Sequence, residues 1–315
     1  MTLDPVILFF LLGLGAGALK ADLRLPAAVY ELLSVLLLLS IGMKGGMAMS
    51  GVPAGELLVQ LAAVAVMGAV TGLVAFGLLR LSRGLARSDA ASIAAHYGSV
   101  SVGTYAVAVA FLAHVGVSFE EYVAAFVVVL EVPAILIGIV LARGARPEGG
   151  WRALAGEVFL GKSVVLLLGG LLIGVIAGPV GLEGISPLFF DAFKGILALF
   201  LLEMGLVAAT QLGAIRRHGL FVLSFALVMP LIGALIGAGF ALLMGLSLGG
   251  ALLLTTLGAS ASYIAAPAAM RMAVPEANPG LSLTASLAIT FPFNVLVGIP
   301  LYFRILQAVW PSAGG

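Results

Sequence analysis

The chain contains no cysteine, which excludes a disulfide framework, a thiolate metal site and a cysteine nucleophile. Charge is scarce as well: 15 Lys and Arg and 14 Asp and Glu amount to 9% of 315 residues, against about 25% in an ordinary soluble domain. A globule of this size cannot clothe itself in water with so few charges. The net charge of +1 comes without a basic stripe, which argues against nucleic acid as a partner. No basic segment precedes the first apolar stretch, which follows Asp4 and Pro5, so a cleavable signal peptide is not expected. What fills the chain instead is apolar: 62% of residues, with a mean hydropathy of +1.24 and 42 glycines. Glycine at this level suits membrane helices, whose backbones pack closely through small residues. These numbers describe an all-α polytopic membrane protein.

A hydrocarbon layer about 30 Å thick takes about 20 apolar residues in a helix. Apolar stretches are expected at 5–19, 26–46, 54–81, 88–115 and 119–142, then at 162–178, 187–209, 219–244, 248–272 and 280–305. That makes ten spans, five on each side of a polar linker at 143–161, and the domains read as 1–142, 143–161 and 162–315. With ten spans, all of the 15 Lys and Arg except Lys44, Lys194 and Arg304 fall on one side. Cations accumulate on the cytoplasmic side, which puts the linker inside and both termini outside the cytoplasmic (inner) membrane. Lys44 is expected to snorkel at its span end.

The two halves match at a constant offset of 161: Gly13 with Gly174, Gly17 with Gly178, Pro26 with Pro187, Met43 with Met204, Gly72 with Gly233, Ser99 with Ser260, and Ser101 with Ser262. One register held over four successive spans indicates a duplication. Because the unit has an odd number of spans, the second copy enters the membrane from the opposite side. Inverted repeats of this kind underlie alternating access in secondary transporters, with the site near the midplane.

Spans four and nine carry the least helix-compatible sequences at membrane depth, HYGSVSVGTY from His96 and TTLGASASYIAAP from Thr255. Glycine costs about 1 kcal/mol and proline about 3 kcal/mol relative to alanine inside a helix. Open backbone is tolerated in a membrane only where it lines a cavity or is buried in protein. Breaks here free amides at the N-termini of the following half-helices, where the dipole carries about half a positive charge. Gly98, Ser99, Val100 and Ser101 on one side, with Ala259, Ser260, Ala261 and Ser262 on the other, form a candidate site for a small oxyanion, bicarbonate or a short carboxylate. The same small residues also allow close helix crossing with no ligand.

An acid at membrane depth is a functional candidate by default. Glu131 and Asn294 stand at nearly matching repeat positions beside Pro133 and Pro292, and with Thr290 and Thr104 they supply the hard oxygens that bind Na⁺. Glu203, opposite Gly42, is a weaker candidate. His96, His114 and His218 are too dispersed for a metal site, and no metal other than Na⁺ and no further cofactor is expected. Ser99 and His96 lack a base-orienting acid nearby, so an intramembrane hydrolase is not expected and the chain does not read as an enzyme.

The residues that carry these readings also carry a resemblance. His96 to Tyr105, and above all GASASYIAAPAAMRMAVPEANPGLSLTASLAITFPFNVLVGIPLY from Gly258 to Tyr302, are similar to the sodium-dependent bicarbonate transporters first known from cyanobacteria. The resemblance implies Na⁺-coupled bicarbonate uptake, an inverted five-helix repeat divided into core and gate, a homotrimer, and control by a small cytosolic protein of the PII type. It implies an anion site at Gly98–Ser101 and Ala259–Ser262. Symport of another small carboxylate, and a receptor that senses bicarbonate without moving it, stay open beside it.

Overall fold

The computed structural model describes residues 4–23, 25–81, 84–143, 156 and 159–310, with the backbone but not the side chains of 212–219. Most of the linker at 143–161 and the side chains of Arg24, Arg83, Arg146, Arg152, Arg216, Arg217 and His218 lie outside the described residues. The helices are α1 (Pro5–Ala18), α2 (Ala27–Met49), α3 (Ala54–Arg80), α4 (Arg87–Gly98), α5 (Val102–Val115), α6 (Ala124–Arg143), α7 (Lys162–Leu182), α8 (Phe193–Leu243), α9 (Leu248–Ala259), α10 (Ala265–Ala273) and α11 (Pro279–Val309).

Among the described residues, eight helical stretches are long and apolar enough to cross a membrane, counting α4–α5 as one and the stretches Phe193–Gln211 and Leu220–Leu243 of α8 separately. Two shorter apolar helices, α1 and α9, accompany them. Beyond Lys162 at its first position, the exposed side chains of α7, among them Leu172, Ile173, Ile176 and Val180, are aliphatic, as a lipid-facing surface requires. The chain is a multi-pass membrane protein.

Local chemistry explains several boundaries. Asp4 caps α1 by accepting from the Val6 amide at 2.9 Å, with Pro5 in the first turn. Ser247 caps α9 and Asn278 caps α11 in the same way. Gly116 and Gly245, at φ 69° and 65°, end α5 and α8 in the left-handed region that favours glycine. His114 belongs to the last turn of α5, which ends at Val115 with Gly116 as its cap.

Stretches 187–209 and 219–244, expected as separate spans, are two separate apolar stretches, Phe193–Gln211 and Leu220–Leu243, but the backbone between them stays helical, so that α8 runs through 51 residues, about 76 Å of axis. The connection 212–219 contains no proline to stop it. In α7 the opposite occurs: Gly178, at φ 60° and ψ −175°, interrupts the helix before Pro179, where the span was expected to end.

Two helix pairs approach backbone to backbone. A Cβ on Gly13 of α1 would overlap the Leu202 carbonyl, and one on Gly17 would lie 2.6 Å from the Ala209 Cβ. Residue numbers rise together, so α1 and Phe193–Gln211 run parallel. In the same sense, Gly42 of α2 faces Gly170 of α7, and Gly46 faces Gly174. Glu203 therefore does not face Gly42, whose contacts go to α7. It lines a cavity of about 650 Å³ with Gly17, Lys20 and Thr210 instead.

Candidate functional site

Both expected breaks are present, and they start alike. After α4, Ser99 is extended at φ −85° and ψ −176°; after α9, Ser260 is extended at φ −84° and ψ 169°. Ser101 then caps α5, its hydroxyl accepting from the Thr104 amide at 3.0 Å, while the Ser262 hydroxyl accepts from the Ala266 amide of α10 at 3.1 Å. Hydroxyl caps compensate first-turn amides that no helical carbonyl can reach.

The two opened segments satisfy one another. The Ser101 amide donates to the Ser260 hydroxyl at 3.0 Å, and the Ser262 amide donates to the His96 carbonyl at 2.8 Å. Ser99, Val100, Ser101, Ala259, Ser260, Ala261 and Ser262 are all buried. Unwound backbone survives at membrane depth because its polar groups find partners inside the protein. The Ser99 hydroxyl is the exception among the four serines: it is buried and has no hydrogen-bond partner among the described residues.

Gly98 and Gly258 stand at the ends of the helices that precede the breaks, and the structure gives them a further task. A Cβ on Gly98 would lie 2.8 Å from the Gly68 carbonyl oxygen and 2.6 Å from the Ala134 Cβ. Gly258 meets Gly233 of α8 backbone to backbone. These glycines let neighbouring helices approach, and the extended residues begin only after them. Gly103, in the first turn of α5, makes room for the hydroxyl of Tyr263, which also has no partner among the described residues.

The four candidate Na⁺ ligands are distributed around the crossing. The Thr104 hydroxyl donates to the Ser101 hydroxyl at 2.9 Å. Asn294, fully buried in α11, donates from Nδ2 to the Ala259 carbonyl at 2.8 Å and accepts from the Tyr302 hydroxyl at 3.0 Å. Thr290 donates to the Ala226 carbonyl at 2.7 Å and lies 2.6 Å from the Tyr97 hydroxyl. Glu131 shares no hydrogen bond with Thr290 or Asn294. It lines a cavity of about 120 Å³ with Lys162, Ser163, Ile264 and Ala265, and its Oε2 has no partner among the described residues. Thr104 and Asn294 thus join the crossing directly, and Glu131 approaches the second break from α6.

Sequence reading missed a polar row. Ser282, Ser286, Thr290 and Asn294 recur every four residues along α11 and are all buried. In an α-helix four residues overshoot one turn by about 40°, so such a row would wind around the axis. Here Thr284–Thr290 and Asn294–Gly298 are π-helical, and their wider turns take up that overshoot. The four-residue spacing was visible, but the π geometry that aligns it was not. The stripe has no counterpart in the first half, where the positions 161 residues earlier are Glu121, just before α6, and Ala125, Val129 and Pro133 within it.

Polar contacts outside the spans tie down one rim. Arg143 donates to Glu276 at 2.9 Å, and the Asn278 amide donates to Asp89 at 2.7 Å. The Arg143 guanidinium holds the Glu276 carboxyl below the usual carboxylate range. At the other end, the Lys44 ammonium stands 5.6 Å from the centre of the Phe190 ring.

The described geometry is that of two interrupted helices joined at their breaks, beside a π-helical helix with a polar stripe, and the chain matches the Na⁺-dependent bicarbonate transporter superfamily over residues 5–307. The chain belongs to that superfamily. The match takes in both breaks, Glu131 and the whole polar stripe of α11. Comparison with curated proteins finds no match. For a member of this superfamily the two breaks and the stripe are the parts of the chain where polar groups are concentrated at membrane depth.

Proposed function

We propose that the chain is a secondary active transporter that couples Na⁺ to the uptake of bicarbonate across the cytoplasmic membrane. Membership in the superfamily supports the substrate class. The observation that carries the reading is the pair of extended, mutually hydrogen-bonded breaks at Ser99–Ser101 and Ser260–Ser262.

The architecture behind it is ten membrane segments arranged as an inverted five-plus-five repeat, residues 1–142 and 162–315, with the linker and its cations inside. The offset of 161 supports this, and so do the parallel pairs. The repeat exchanges α1 with α7 and α2 with Phe193–Gln211. It therefore turns the first glycine-mediated pair into the second, and both run parallel as an odd-span inversion demands.

The anion rests at the crossing of Gly98–Ser101 with Ala259–Ser262, facing the N-termini of α5 and α10. There the helix dipoles favour negative charge, and the unpartnered Ser99 hydroxyl has a proton to donate. Na⁺ is coordinated by oxygens drawn from Glu131, Thr290, Asn294 and Thr104, with a carbonyl of the opened backbone. A cation beside the anion lowers the cost of holding either one, so each raises the affinity of the other by the same factor. The core formed by α4–α6 and α9–α11 then moves against the remaining helices to expose the site alternately.

The test is uptake of labelled bicarbonate by proteoliposomes containing the purified chain. An inward Na⁺ gradient is expected to drive accumulation and an equal K⁺ gradient is not; equal uptake in both overturns the coupling. Unlabelled formate and acetate in the same assay report whether the site takes short carboxylates in general, and competition from them as strong as from bicarbonate itself overturns the assignment of substrate.

A further inference from the structure

Beside the crossing, α4 and α10 enclose a separate cavity of about 110 Å³, lined by Ser92, His96, Pro267, Met270 and Arg271 among others. His96 is 1% exposed, and its Nε2 has no partner among the described residues. Its other nitrogen settles what that Nε2 is. Nδ1 lies 2.7 Å from the Ser92 carbonyl oxygen, which only accepts, so Nδ1 carries the proton. In the neutral imidazole Nε2 is then a buried acceptor on a residue that lines the cavity, with nothing among the described residues to receive from. The Ser92 hydroxyl does not meet this need, because it is paired with the Ser282 hydroxyl at 3.0 Å. Arg271 lines the same cavity and makes no ion pair or hydrogen bond among the described residues.

An acceptor and a cation in one small cavity define an unusual ligand. A carboxylate such as formate answers the guanidinium but leaves Nε2 unsatisfied, and an alcohol does the reverse. We infer that the cavity between α4 and α10 binds a small oxyanion that carries its own hydroxyl, bicarbonate being the simplest, with the hydroxyl donating to His96 Nε2 and the charged oxygens facing Arg271. Charge-assisted bonds to a guanidinium are the stronger part of the attachment, and the hydroxyl contact is the discriminating part, since an unmet buried acceptor penalises every anion without a proton to give.

The cavity is distinct from the crossing but adjoins it through one residue. The carbonyl of His96 accepts the Ser262 amide at 2.8 Å, so a ligand on the imidazole touches the residue that joins the two breaks. As a waiting place on the transport path the cavity rests on the proposed symport, whereas binding in it does not.

The experiment is nitrogen NMR of the full chain in nanodiscs, grown with ¹⁵N-histidine, with His96→Asn identifying the His96 signals. Bicarbonate is expected to displace the Nε2 resonance upfield in a saturable way, and formate and nitrate at equal concentration are expected to leave it in place. The response should persist in Ser99→Ala, which alters the crossing, and Arg271→Gln should raise the apparent Kd by about tenfold or more, the worth of a charged hydrogen bond. No displacement by bicarbonate overturns the site. Equal displacement by formate overturns the hydroxyl requirement, and loss of the response in Ser99→Ala overturns its separation from the crossing. Failure of Na⁺-driven uptake with the His96 response intact counts against the symport and leaves the cavity's ligand standing.

Discussion

Ser99 and Ser260 stand 161 residues apart at the start of the two breaks, in nearly the same backbone conformation, yet their hydroxyls have different employment. Ser260 accepts the Ser101 amide at 3.0 Å and donates to the Leu257 carbonyl at 2.8 Å. The Ser99 hydroxyl makes no hydrogen bond among the described residues. Ser260→Ala strips a buried amide of its acceptor, which costs about 1–3 kcal/mol, while the Leu257 carbonyl keeps the Ser260 amide at 3.1 Å and adds little to the loss. Ser99→Ala deletes a hydroxyl that has nothing to lose and costs stability nothing. The comparison is made by denaturant titration of the purified protein without bicarbonate, followed by helicity, each 1.4 kcal/mol being about tenfold in the unfolding equilibrium. The expected result is a lowered midpoint for Ser260→Ala and an unchanged midpoint for Ser99→Ala. Uptake should fall in both, through a weakened crossing in one and a missing donor to the anion in the other. Equal destabilisation by the two substitutions, or none by Ser260→Ala, refutes the assignment of hydrogen bonds at the crossing, and unchanged uptake in Ser99→Ala removes that hydroxyl from the anion site.

Asn294→Leu abandons the Ala259 carbonyl and the Tyr302 hydroxyl together, at about 1–3 kcal/mol for each buried group; with the proposed Na⁺ site, Na⁺ but not K⁺ should raise the melting temperature of the parent chain, and the variant should lose that rise. Gly13→Ala should destabilise by the 1–3 kcal/mol typical of overpacking, because its Cβ meets the Leu202 backbone, whereas Gly15→Ala, with nothing within 4 Å, should be neutral or gain from helix propensity; a melting comparison distinguishes them. The Glu276 carboxyl titrates below its ordinary value of 4.5, so its pairing with Arg143 contributes fully above that value and is lost as pH falls through the lowered one. The pair is exposed and its contribution small, so Glu276→Gln should flatten only the acid limb of a stability-against-pH curve and leave neutral pH nearly unaffected.

Much of this organisation was legible along the chain because its causes are local. A run of apolar residues declares a span by itself, and Ser101, Ser247 and Asn278 cap their helices within three residues. The breaks were legible for a related reason: glycine, serine and proline lower the cost of leaving the helix wherever they cluster. Gly98 and Gly258 do stand at the ends of the helices before the breaks, but the contacts that also require glycine there, Gly68 and Gly233, were not legible, since they lie 30 and 25 residues earlier and on other helices. The row at Ser282, Ser286, Thr290 and Asn294 was overlooked because only π-helical turns bring a period of four onto one face. The two spans on either side of 209–219 were legible, but not that the backbone between them stays helical, because change of polarity alone does not end a helix.

The sequence by itself determined that this chain lives in a membrane, where its helices open, and which short polar residues sit at the openings. These depend on composition and on neighbours a few residues apart. Only the tertiary structure decided which serine hydroxyl is bonded and which is left over, that α1 pairs in parallel with Phe193–Gln211 as α2 does with α7, and that His96, with its unmet acceptor, lines one cavity with Arg271. Each of those facts depends on a partner far away in the chain. A hydroxyl or an imidazole carries the same chemistry in every context, and what it does is set by the group that packing brings within 3 Å of it.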